Sequence, residues 1–150
     1  GGIDEAVIYR YWGTGQRGAL DVLLRWRSEV IVAAGTGSLR SDLQALAAEV
    51  ATYVNSPLGR GLLRATVIDD RAVYGDDTRM VFWAQRFTAM RVVFDRARER
   101  GELRAGVDTV GALQLLLAPL HVRALYSNDA VDDEYCRTIA DLTWHAVAAD

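Results

Sequence analysis

The stretch MVFWAQRFTAMRVVFDRA, residues 80–97, decides the architecture. Met80, Trp83, Phe87, Met90, Phe94 and Ala97 fall on one seam at alternating steps of three and four, while Arg79, Arg86, Arg96 and Glu99 lie mostly elsewhere. That spacing is the period of a helix with one buried stripe, and a strand would alternate every second residue. Asp76-Asp77, after Tyr74-Gly75, supply a cap, and Gly101 closes a helix that runs to about Arg100.

The same period recurs outward in both directions. Upstream, Leu20, Leu23, Leu24, Val30, Ile31 and Ala34 share a face that stops at Gly35-Thr36-Gly37. A helix then opens at Ser38 or Ser41, where Gln44 stands in capping-box register with Ser41. Its stripe is Leu39, Leu43, Leu46, Ala47, Val50, Tyr53 and Val54, and Asn55-Ser56 before Pro57 ends it. Pro57 suits the first turn of a shorter helix, LGRGLLRATVIDD, weakened by two glycines at roughly 1 kcal/mol each. Downstream, Asp108 caps TVGALQLLLAPLHVRALYS, and Asp132 or Asp133 caps a last helix to about Ala149. Pro119 falls inside the first of these and removes one backbone hydrogen bond. Both helices are apolar on more than one side, which predicts burial on more than one side and hence a partner subunit. No alternating segment bounded by hairpin turn pairs is present, so the fold class expected is all-α, with six helices besides whatever residues 3–12 form.

Composition narrows the function. The chain has 150 residues, 51% of them hydrophobic, enough for one core. It begins Gly1-Gly2 without methionine, and the expectation is a fragment of a longer protein. No run approaches the roughly 18 apolar residues of a membrane span, and no signal peptide is evident, so a cytoplasmic protein without membrane contact is expected. Cys136 is the one cysteine, which excludes an intrachain disulfide. His121 and His145 stand in no metal-binding register, and neither a metal nor a cofactor is expected. There is no nucleophile elbow, phosphate loop or Cys/His pair, so the chain does not read as an enzyme. All 17 basic residues are arginine and net charge is −3, so any DNA contact must be local.

Residues 3–15, IDEAVIYRYWGTG, offer such a contact. As a helix, Ile8 and Trp12 share one face, leaving Tyr9, Arg10 and Tyr11 turned outward as hydroxyl donors and a guanidinium fork suited to phosphates and base edges. The alternative is an ordinary aromatic helix packed on the domain.

AVIYRYWGT resembles the recognition-helix segment of TetR-type transcriptional regulators. GTGSLRSDL, residues 35–43, is similar to the start of the ligand-domain helix in one subgroup of that family, and residues 101–135 resemble its two dimerising helices. The resemblance implies a TetR-like helical bundle. Residues 1–17 would be the remnant of a helix-turn-helix DNA-binding head, and 18–150 the ligand-binding and dimerisation domain. It further implies a regulator, most simply a repressor, that binds operator DNA as a homodimer and is modulated by a small hydrophobic or aromatic effector. Tyr9, Arg10, Tyr11 and Arg17 would then contact DNA. Trp26, Tyr53, Trp83, Phe87, Met90, Phe94, Leu117 and His121 would line the ligand pocket. Taken singly, each aromatic reads as core filler, and His121 as a satisfied interior histidine. Leu116, Leu120, Val122, Tyr126, Ile139, Leu142, Thr143 and Val147 would form the dimer interface. Asp4 and Glu5, together with Gly15 and Gln16 where the family often has lysine, keep a second reading open: a helical ligand-binding or dimerisation module that binds no DNA.

Overall fold

The computed structural model describes residues 35–67, 71–127 and 129–150, the side chains of 62, 65–67, 71–83 and 85 excepted. The expected helix Leu20 to Ala34 and the YRYW segment therefore lie outside the described residues. Five helices follow in order: α1 Leu39–Asn55, α2 Pro57–Val67, α3 Arg71–Glu99, α4 Thr109–Tyr126 and α5 Asp133–Val147. No strand forms among the described residues. A single antiparallel bridge joins Leu103 to Ala148, tying the α3–α4 loop to the chain's last residues.

α1 is the centre. It packs against each of the other four helices, so its apolar stripe is closed from several directions. Leu39, Leu43, Leu46, Ala47, Val50, Ala51 and Val54 are all buried, joined by Met90, Val93, Phe94 and Ala97 of α3 and by the core faces of α4 and α5. The α1 cap is Ser38, whose hydroxyl accepts from the Ser41 amide. Ser41 thus sits inside the first turn, and the Ser41–Gln44 capping box is not formed. Ser38 wins because a carboxylate from elsewhere reaches the same end: Glu102 accepts from the Leu39 amide, satisfying an otherwise orphaned donor. Arg100 hydrogen-bonds Glu102, and the two effects hold the Glu102 carboxyl below the usual carboxylate range, the Arg100 bond contributing most.

Asp42, in the first turn of α1, is fully buried. Its Oδ1 accepts from both the amide and the hydroxyl of Thr36, and Arg100 stands 3.6 Å from Oδ2. A buried carboxylate is tolerable only with such partners. They fix the segment that enters the bundle at residues 35–37 against α1.

The far end of α1 is fixed as firmly. The Asn55 side chain exchanges two hydrogen bonds with the backbone of Val131, and Arg60 of α2 donates to the carbonyls of Val54, Ser127 and Asp129. One asparagine and one arginine thereby close the α1–α2 junction onto the α4–α5 loop. Pro57 is the first residue of α2, as expected. α3 begins earlier than the Asp76-Asp77 cap predicts, at Arg71, and runs through Gly75. α4 starts after Asp108, whose side chain accepts from the Gly111 amide, and α5 after Asp132, whose side chain accepts from the Tyr135 amide. α4 is continuous across Pro119, and the carbonyl that the proline cannot serve belongs to Leu115, an exposed position.

Candidate functional site

α4 is apolar all round because it has three tasks. With about 100° of rotation per residue, Leu113, Leu116, Leu120 and Ala124 lie together and face the core. Gln114, Leu117, Ala118 and His121 lie on the next face round and line a cavity of about 420 Å³. Leu115, Val122 and Tyr126 fall on a third, outward stripe and are 47%, 51% and 85% exposed.

The cavity lies between α4 and α3, with Phe87 of α3 closing it opposite the α4 residues. Its size is that of a site for a small organic ligand, and its wall is mostly apolar with two polar groups, Gln114 and His121. Burial holds the His121 imidazole's pKa down at about 4, and the positive charge of Arg86 adds to the effect. At neutral pH the ring is uncharged and offers one donor and one acceptor. Next to Phe87 in the chain, Arg86 crosses to α1 and lies over the Tyr53 ring, 4.6 Å from its centroid.

The expected pocket residues therefore divide. Phe87, Leu117 and His121 meet in the cavity, and Tyr53 carries the arginine beside it. Met90 and Phe94 are buried core at 2% and 0% exposure, one and two turns down the same stripe from Phe87. Trp26 lies outside the described residues, as does the side chain of Trp83. Gln114 and Ala118, which also line the cavity, were not anticipated. A signal for Gln114 is present in the sequence: it and His121, seven apart, interrupt one face of an otherwise apolar helix.

The expected interface residues divide too. Val122, Tyr126 and Leu142 are exposed, and Ile139 is half-buried against the core. Leu116, Leu120, Thr143 and Val147 are taken up by the protomer's own interior, at 0% to 5% exposure. The four DNA-contact residues, Tyr9, Arg10, Tyr11 and Arg17, lie outside the described residues. Among the described residues, no cluster of His, Cys, Asp or Glu is placed to hold a metal ion. None of the described helices is long and apolar enough to cross a membrane.

A central helix wrapped by four others, with a cavity between the long helix and the penultimate one, has known counterparts. Residues 33–143 match the family model for the tetracyclin repressor-like, C-terminal domain. The chain belongs to this family. Among curated proteins it is 32% identical over 108 residues to the HTH-type transcriptional regulator AqdR of Rhodococcus erythropolis, covering 72% of this chain and 52% of AqdR. It is 24% identical over 150 residues to the uncharacterized HTH-type transcriptional regulator YdeS of Bacillus subtilis, covering 98% of this chain and 75% of YdeS. The chain thus spans about half the length of AqdR and three quarters of YdeS. The crystal structure of the TetR family transcription regulator SCO0332 superposes with a TM-score of 0.73 at 23% identity, over 99% of this chain and 82% of that one. The likeness to SCO0332 concerns the fold. The family match places the α1 stripe, the cavity wall on α3 and α4, and most of α5 within the tetracyclin repressor-like domain.

Proposed function

We propose that this chain is the effector-binding and dimerisation part of a cytoplasmic DNA-binding transcriptional regulator, acting as a repressor, with residues 1–17 the end of its DNA-binding head. The family match over residues 33–143 carries this reading. The names of AqdR and YdeS, both HTH-type regulators, support it. Tyr9, Arg10, Tyr11 and Arg17 supply the cations and hydroxyls that phosphate contact needs. The cavity on Phe87, Gln114, Leu117, Ala118 and His121 takes the effector, a small molecule with an apolar or aromatic body.

Two copies pair through the outward stripe of α4 and through Leu142 on α5, which gives four helices at the contact. Symmetric pairing of this kind sets the distance between two recognition helices, and successive major grooves lie about 34 Å apart. An effector that prefers a different separation releases DNA in proportion to its differential affinity for the two states.

Salt titration of binding to DNA from upstream of the protein's own gene tests the regulator reading. With the full-length protein, the slope of log affinity against log salt is expected to steepen by about 0.9 for each phosphate contacted. A flat profile rejects DNA binding. It would favour a ligand-binding or dimerisation module, the reading that Asp4, Glu5 and the acidic balance support.

A further inference from the structure

A buried carboxylate stands at the start of α1 where the helix itself has no need of one. That end is already served by Ser38, which caps the Ser41 amide, and by Glu102, which accepts from the Leu39 amide. Asp42, although in the first turn, reaches back six positions along the chain: its Oδ1 accepts from the Thr36 amide at 2.8 Å and from the Thr36 hydroxyl. The side chain has no exposed surface, and its Oδ2 makes no hydrogen bond among the described residues but faces Arg100 at 3.6 Å. For stability alone, an apolar side chain of similar volume generally serves at least as well as a buried ion pair. What the carboxylate adds is direction, because two bonds onto one residue fix both where the Thr36 peptide lies and how it is turned.

Two glycines complete the joint. Gly37 adopts φ +95°, a left-handed turn that a residue with a Cβ takes only with strain, and this turn carries the chain from Thr36 into the Ser38 cap. A Cβ at Gly35 would come within 3.3 Å of the Arg96 guanidinium, so the chain passes close against the end of α3. Arg100 in turn bonds Glu102, whose backbone carbonyl accepts from the Ala149 amide. Residues 35–37 are thereby held by α1, by the end of α3 and by the α3–α4 loop. Tyr9, Arg10, Tyr11 and Arg17 are joined covalently to the rest of the chain through this segment.

We propose that Asp42, acting through Thr36, is a positioning residue for DNA binding. It sets the direction in which the upstream chain leaves the bundle, and with it the separation at which two copies present their DNA contacts. This rests on the DNA-binding reading and names the joint that serves it.

Anisotropy titration of the full-length protein against a labelled DNA fragment from upstream of its own gene tests the proposal, each affinity being referred to the active fraction found by stoichiometric titration. Thr36→Val removes the hydroxyl donor at an exposed position and keeps the shape, so circular dichroism and sedimentation should match those of the parent. Its affinity for DNA should fall about tenfold, the scale of one hydrogen bond to a charged group. Thr36→Ser keeps the hydroxyl and should bind as the parent does. Thr36→Val binding as tightly as the parent, or Thr36→Ser losing as much as Thr36→Val, would overturn the assignment and leave the DNA-binding reading standing. So would a loss that vanishes once it is referred to the active fraction, the mark of a merely structural role. A parent protein that binds no DNA would overturn the DNA-binding reading, and this proposal with it.

Discussion

His121 shows how one side chain links the cavity to stability. Its pKa lies near 4 in the folded protein against 6.5 as the ordinary value, because burial, then Arg86, disfavour the imidazolium. Between those values the unfolded chain binds the proton and the folded chain does not. The stability contributed by the neutral ring is therefore complete above about pH 6.5 and is lost as pH falls toward 4, by at most about 3 kcal/mol. Urea titrations across that window should show His121→Gln with a shallower acid loss than the parent protein. Other groups, Glu102 among them, titrate in both proteins and cancel in the difference. Equal slopes would mean that the ring is hydrated and not buried in the cavity wall. The identity of the wall was partly legible, since Phe87, Leu117 and His121 are among the residues that the family resemblance implies for the pocket. The contact of Arg86 with Tyr53 was not legible, because the two lie on different helices and 33 positions apart.

At the scale of the element, Gly59 separates helix propensity from packing. Alanine is the better helix former by about 1 kcal/mol, and the sequence alone treats this glycine as a weakness of α2. In the fold, a Cβ at Gly59 would overlap the carbonyl oxygen of Tyr53, with the carbonyl carbon at 2.7 Å. The obstacle is backbone at the end of α1, which Arg60 and Asn55 pin to the α4–α5 loop and which cannot swing aside as a flexible side chain would. Gly59→Ala is therefore expected to destabilise the protein by about 3 kcal/mol, the upper range for overpacking, where an exposed helical glycine would gain. Chemical denaturation of the two proteins decides the sign. The helix ends follow the same logic. Asp108, Asp132 and Pro57 mark starts that local chemistry alone explains, and each was legible. The start of α1 was legible as one of two candidates, Ser38 or Ser41, and Glu102, arriving from the α3–α4 loop, completes the Ser38 cap; the start of α3 was misread.

For the whole molecule, the question is which apolar surface remains after the protomer has closed. Leu116 and Leu142 look alike in sequence, but Leu116 has no exposed surface and Leu142 has 62% of its own. Leu142→Glu is expected to leave the far-ultraviolet spectrum and the midpoint of monomer unfolding nearly unchanged, while converting a dimer to monomers in sedimentation at micromolar concentration. Leu116→Ala should do the reverse, lowering stability by about 2–5 kcal/mol with association following only indirectly. A monomeric parent protein would remove α4 and α5 as the pairing surface, and the spacing of the two DNA-binding heads with them.

By itself the sequence determined that the chain is helical, where most helices begin, and which family it resembles, because capping and the 3.6-residue period act within a few positions of one another. Tertiary structure alone decided how α4 divides its apolar circumference among core, cavity and exterior, since that division depends on where α1, α3 and α5 dock. A leucine's hydrophobicity is the same on all three faces, and only the neighbour that covers it, or fails to, gives it a role.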